Sequence, residues 1–238
     1  RQSSLALLTV AGLAGSSLGL AAPVNALTPC DTINSQLLAL ESTPGTLNLN
    51  WVGTDSCLLD RPYILSGSST INGPTSGDRL TLQVAYPVPV QSSSPVTYAD
   101  SYALSSNSEL NISHVDFTGG SPAVDELPAA PITSILSLGT SSDTTLTDVS
   151  FSNSYLSGSA IEAAPTSVGH LVVNDSSFTN LITTGESAAL QSDGITTINN
   201  STFSSNAGVS IGNAGDLSVH GSTFSSNAGV SIGNAGDL

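Results

Sequence analysis

Few residues in this chain can do chemistry. Three histidines (His114, His170, His220), two cysteines (Cys30, Cys57), the arginines Arg61 and Arg79, and the carboxylates are the groups able to move protons, hold a metal or attack a substrate. Gly15-Ser16-Ser17-Leu18-Gly19 has the form of a nucleophile elbow. It sits inside a Leu/Ala/Gly stretch that reads as an export signal, so hydrolase chemistry is not expected from it. The histidines fall at three different offsets from the nearest downstream phenylalanine, so they do not form a ligand set and are expected on solvent-facing positions. Asp143, Asp216 and Asp237 share an offset in the repeat described below. Stacked one rung apart they are weak Ca²⁺ candidates, with exposure to water the plainer expectation. No cofactor and no other metal is expected. Carboxylate pairs of the kind used in glycoside hydrolysis can still be assembled between distant segments, where sequence alone shows no distances.

Charge narrows the partners. Three Lys+Arg stand against eighteen Asp+Glu, a net charge of −15, and all three cations are arginine. Neutralising nucleic-acid phosphates requires a basic surface, so no nucleic-acid partner is expected. Docking on anionic lipid by a basic patch is disfavoured for the same reason. Residues 1–26 carry an apolar run ending at Val24-Asn25-Ala26, a small-x-small cleavage pattern, and are read as a signal peptide. No later segment is apolar enough to span a bilayer as a helix. Export into an oxidising compartment makes a disulfide between Cys30 and Cys57 the expected fate of both cysteines.

The residues that could act must be positioned by something, and the positioning element is a repeat. Ser201–Leu217 reads STFSSNAGVSIGNAGDL, and Ser222–Leu238 repeats it residue for residue, a period of 21. The same skeleton recurs upstream around Phe117, Phe151, Phe178, Phe203 and Phe224, all five phenylalanines of the chain, at spacings of 34, 27, 25 and 21. Five residues before each stands an aliphatic: Ile112, Leu146, Val173, Ile198, Val219. Alternation with period 2 inside units of this length means β-strands, and one such unit cannot bury its apolar side alone. Stacking the units aligns the phenylalanines in an internal column. Asn153, Asn180, Asn206 and Asn227 follow Phe by two or three residues and are expected at stacked turns, where Asn tolerates a left-handed backbone. Ahead of the repeat, Ile33, Leu37 and Leu40 form one helical stripe that Thr43-Pro44-Gly45 stops. A helix at this place is expected to cap the first rung.

Phe203-Ser204-Ser205-Asn206 and Phe224-Ser225-Ser226-Asn227 match the FxxN motif of polymorphic outer membrane protein repeats, and Gly158-Ser159-Ala160-Ile161 is close to the companion GGA-[ILV] motif. Phe151-Ser152-Asn153 and Phe178-Thr179-Asn180 are one residue shorter. Over roughly residues 110–238 the chain therefore resembles that family. The resemblance implies a right-handed β-helix displayed on a bacterial surface and used in adhesion. The fold implied is similar to that of pectin lyase-like proteins. Enzymes of that kind act on acidic polysaccharides with an Asp cluster and an Arg or Lys base, for which only Arg61 and Arg79 are available.

The resulting expectation is an all-β, right-handed parallel β-helix with a short N-terminal capping helix. Residues 27–62 are read as a disulfide-closed cap and residues 63–238 as rungs of a solenoid that continues past Leu238. The expected function is a secreted or cell-surface scaffold for adhesion or ligand display toward an extracellular glycan or protein, with the resemblance implying outer-membrane association. The alternative is a carbohydrate-active lyase or hydrolase, or a carbohydrate-binding module. Segments 85–108 and 118–133 are the expected binding loops.

Overall fold

The computed structural model describes residues 30–49, 56–59, 61–84, 102–119, 132–139, 143–163 and 169–237. The signal-peptide reading of residues 1–26 and most of both expected binding loops lie outside these residues. The parts of the loops that are described carry strands: Tyr102–Ser106 and Val115–Gly119 are both built into the sheets.

Every strand pair is parallel, and the strands stack in three columns. The first column is a 7-stranded sheet of Thr46–Asn48, Ser69–Asn72, Leu110–Ser113, Thr144–Thr147, His170–Asn174, Ile195–Asn199 and Leu217–His220. The second carries the phenylalanines. It runs from Cys57–Leu59 through Leu80–Val84, Val115–Gly119 and Ser150–Leu156 to the start of Ser177–Ser192, then Thr202–Ser204 and Thr223–Ser225. The third comprises Tyr63–Leu65, Tyr102–Ser106, Ser134–Leu138, Ile161–Ala163, the end of Ser177–Ser192, Ala207–Asn213 and Ile232–Asn234. Each turn of the chain visits the three columns in order, so the architecture is a parallel β-helix. The first rung takes Thr46–Asn48 and Cys57–Leu59 from the segment read as cap, so the rungs begin ahead of residue 63.

Alternation in sequence becomes alternation in burial. Leu80, Leu82 and Val84 point inward while Thr81 and Gln83 are half-exposed. The aliphatics five before Phe line the first column: Ile112, Leu146, Val173 and Ile198 are buried, and Val219 packs against them. Phe117, Phe151, Phe178 and Phe203 are fully buried. Successive rings are stacked with centroids 5.3, 5.0, 4.7 and 4.9 Å apart, the last pair reaching the half-buried Phe224. Those distances are set by strand spacing, about 4.8 Å in any sheet.

The helix Cys30–Ser42 closes the first rung. Ile33, Leu37 and Leu40 are its buried residues. Its last turn also satisfies backbone groups at the sheet end: Ile64 N–H donates to Glu41 Oε1 (2.9 Å), and Ser66 N–H donates to the Leu40 carbonyl (3.2 Å). Arg61 pairs with the same Glu41 carboxylate. An open sheet end exposes such groups as a template for foreign strands, and the helix removes the invitation. The disulfide Cys30–Cys57 joins the helix start to the second strand of the first rung, with Cα atoms 5.2 Å apart. Closing a loop of that length is worth about 3 kcal/mol on the chain-entropy account.

Candidate functional site

The corner between the first column and the phenylalanine column is a single left-handed residue, always three before Phe: His114 (φ 55°), Asp148 (53°), Asp175 (50°), Asn200 (51°) and Gly221 (58°). His, Asp, Asn and Gly are the types that tolerate this conformation. A second left-handed position follows two after Phe, at Asn153 (49°), Asn180 (54°), Ser205 (57°) and Ser226 (55°). This corrects the expectation for the asparagines. Asn153 and Asn180 take the left-handed turn and are exposed, with Asn180 Nδ2 donating to Asn153 Oδ1 (2.8 Å). Asn206 and Asn227 stand one residue later, and serine takes the turn instead. Asn206 is buried, accepts from Leu181 N–H through Oδ1 (3.0 Å) and donates through Nδ2 to the Phe178 carbonyl (3.1 Å). Asn227 repeats both bonds one rung on, to Asn206 N–H and Phe203 O (both 3.0 Å).

The three aspartates offered as calcium ligands do not come together. Asp216 and Asp237 occupy neighbouring rungs, and Leu217 N–H donates to the Asp237 carbonyl. Between Asp143 and Asp216 in the same column stand His170 and Ile195. Asp143 Oδ1 instead accepts from His170 N–H (2.8 Å). Among the described residues no three His, Cys, Asp or Glu side chains converge as a metal site.

The structure assembles an ionic cluster at the first corner instead. Arg79 precedes Leu80, which pairs with Val115, so Arg79 lies beside His114 at the foot of the left-handed column. Its Nε donates to Asp116 Oδ1 (2.8 Å), its NH1 to Asp148 Oδ1 (2.6 Å) and its NH2 to the Asp148 carbonyl. His114 Nδ1 lies 2.8 Å from Asp148 Oδ2. His114 is therefore a partner of Asp148 rather than a residue facing only water. Burial pushes the Asp116 carboxyl above the ordinary carboxylate range, against the pull of the Arg79 guanidinium. Burial works the same way on Asp148, but hydrogen bonds from Arg79 and His114, with their charges, outweigh it and hold that carboxyl below the ordinary range. Burial also opposes the charge on Arg79, and the two aspartates overcome it, so its pKa is raised. Both Asp148 carboxylate oxygens are taken within the cluster, one by Arg79 and one by His114. It ties the segment 73–79 to the corners of the next two rungs.

A second assembly lies on the lateral face of the third column. Glu162 pairs in register with Gln191, Gln191 with Gly212, and Gly212 with Gly233. These are outward positions on four successive rungs, and their side chains shrink from carboxylate and amide to hydrogen. The result is a groove formed by two adjoining hollows of about 290 and 360 Å³ that share Ser187 and Gln191 as common wall. Ser157 and Ser159 border one end, and Asn213 and Asn234 border the other. Ser159 Oγ donates to the Ser187 carbonyl (2.7 Å), and Asn213 Nδ2 donates to Asn234 Oδ1 (3.1 Å), so these side chains brace the walls. Ser187 Oγ donates to Gln191 Oε1 (2.8 Å), so the amide is held across the groove floor. Glycine at 212 leaves room for that bond: a Cβ would lie 2.3 Å from both Gln191 Oε1 and Ser187 Oγ and would displace the two side chains. Among the described side chains lining the groove, Glu162 is the one charged group.

Neither assembly was visible in sequence as a site. Arg79 and Asp148 are 69 residues apart, and Glu162, Gln191, Gly212 and Gly233 are unevenly spaced because the intervening loops differ in length. The left-handed column did leave a signal, since aligning the chain on Phe puts His, Asp, Asp, Asn and Gly at one offset.

Stacked three-strand rungs, an inner phenylalanine column and a helical cap define a parallel β-solenoid. No protein-family model, no curated protein and no solved structure matches the chain. Among the described residues no helix is long and apolar enough to cross a membrane.

Proposed function

We propose that this chain is an extracellular or cell-surface scaffold that displays a ligand-binding lateral face and carries out no reaction. The observation that carries this reading is the groove on four consecutive rungs, with the Glu162 carboxylate and the Gln191 carboxamide in register on its lining. The ionisable residues elsewhere support it, because Arg61 is engaged by Glu41 and Arg79 by Asp116 and Asp148. The disulfide is in keeping with an exported protein. The FxxN and GGA-like motifs add the surface-adhesion role of the repeats they resemble. Fold alone does not assign function, so the reading rests on the groove.

The test is a screen of the purified chain against immobilised glycans and acidic polysaccharides, read for binding and for product release with and without Ca²⁺. Binding without release is expected. Release of unsaturated or shortened sugars overturns the reading and makes the Arg79–Asp148–His114 cluster the first place to mutate.

A further inference from the structure

We infer that the groove over Glu162, Gln191, Gly212 and Gly233 is a binding site for an uncharged polysaccharide chain lying along the solenoid axis. The inference rests on the display reading above and names its ligand and its site.

The chemistry follows from the lining. The Glu162 carboxylate, the Gln191 carboxamide NH₂ and the Ser157 hydroxyl are the lining groups that match vicinal hydroxyls. Ser159, Ser187, Asn213 and Asn234 spend their side-chain hydrogen bonds within the fold and shape the walls. Gln191 Oε1 is committed to Ser187 Oγ, while the carboxamide NH₂ makes no hydrogen bond within the described residues and is available to a ligand oxygen. Glu162 is the one charged side chain among the described lining, and it is acidic. On a chain of net charge −15 this disfavours uronic acid and sulfated polymers. The geometry favours a chain over a compact sugar. Ser187 and Gln191 belong to both hollows, so the two are one trough. Four rungs at about 4.8 Å spacing make it elongated, with about one sugar unit per rung. A peptide is disfavoured: it gains affinity by adding to a strand edge, and the backbone bonds of this face are spent between rungs.

The experiment is calorimetric titration of the intact chain with linear oligosaccharides of increasing length from neutral gluco-, xylo-, manno- and chito-series, with oligogalacturonate and an unstructured Ser/Gly peptide as contrasts. Three variants accompany it: Gln191→Ala, Gly233→Gln, and Thr197→Ala on the outward face of the first column. Gly233→Gln is a second way to block the groove without disturbing the fold, because the nearest atom to its added Cβ is Val209 Cγ1 at 3.6 Å. The expected result is that at least one neutral series binds and tightens with length. Gln191→Ala then weakens binding about tenfold, the loss of one or two hydrogen bonds. Gly233→Gln abolishes binding and Thr197→Ala leaves it unchanged. Neutral binding that survives Gln191→Ala and Gly233→Gln but falls with Thr197→Ala overturns the groove and leaves the display reading standing. Binding of oligogalacturonate or the peptide in place of neutral sugars overturns the ligand class. Silence across all the sugars overturns the inference, while the display reading stands or falls separately on the wider screen of immobilised glycans and acidic polysaccharides.

Discussion

The backbone N–H of Asn206 donates to Oδ1 of Asn227 at 3.0 Å, and the two residues are related by the chain's 21-residue repeat. The same bond joins Leu181 to Asn206 one rung earlier. Each carboxamide thus crosses a rung boundary where the backbone turns from the phenylalanine column and its own ladder is interrupted. Left without it, the inner N–H and C=O groups at this corner would be buried and unpaired.

Replacing Asn206 by Ala strands Leu181 N–H and Phe178 O in the interior. The expected loss is about 3 kcal/mol, read as a lower urea midpoint. Asn153→Ala is the contrast: that residue is exposed and left-handed, so only backbone strain of about 1 kcal/mol is expected. Equal losses at the two sites would refute the distinction.

Thr144 and Thr196 occupy equivalent inward positions in the first column, and both are buried. Thr196 Oγ1 lies 3.0 Å from Ser192 Oγ and 3.3 Å from Asn213 Oδ1. Among the described residues Thr144 Oγ1 has no hydrogen-bond partner. Thr144→Val is therefore expected to raise stability by about 1 kcal/mol, and Thr196→Val to lower it by a similar amount. Opposite signs from the same substitution are the outcome to look for in paired denaturation curves.

The phenylalanine column should respond by position. Phe178 is fully buried between Phe151 and Phe203, and its change to Ala is expected to cost about 3–5 kcal/mol. Phe224 is half-buried with a described ring on one side, so about half that cost is expected. Denaturant unfolding of the two variants settles the ratio.

The phenylalanine column and its aliphatic companions were legible because they repeat at fixed offsets whatever the loop length. The stripe Ile33, Leu37, Leu40 was legible because helical period is local. The inner role of Asn206 was not, since Asn at two and at three residues after Phe looks like one loose motif. In three dimensions a one-residue step moves the side chain from solvent to interior. The Arg79–Asp148 pair and the Glu162–Gly233 groove depend on how rungs of unequal length stack, which no local pattern encodes. Equal offset from Phe placed Asp143 in the same column as Asp216, but His170 and Ile195 separate the two; Asp143, Asp216 and Asp237 are all exposed, the plainer of the two expectations for them.

The corner cluster predicts a pH dependence with two opposing parts. Asp148 titrates lower in the fold than in the unfolded chain. Its contribution is present above the unfolded carboxyl value of about 4 and is lost as pH falls through the folded one. Asp116 titrates higher in the fold, so its ionisation removes stability as pH rises from the unfolded value through the folded one. Asp148→Asn should therefore destabilise the protein at neutral pH, with the deficit closing in strong acid. Asp116→Asn should gain on the wild type as pH rises from about 3 to 6. Thermal melts across that range distinguish the two, and parallel pH profiles for both variants would contradict the assignment.

The central claim is that the stacked rungs leave one lateral trough for a neutral glycan. The most direct measurement is amide chemical-shift mapping of the intact chain while a neutral oligosaccharide is titrated in. The account predicts shifts centred on Ser159, Glu162, Gln191, Gly212 and Gly233, with Thr145 and Thr197 on the first column unmoved. Shifts centred on Thr145 and Thr197, or on the Arg79 corner, would contradict it.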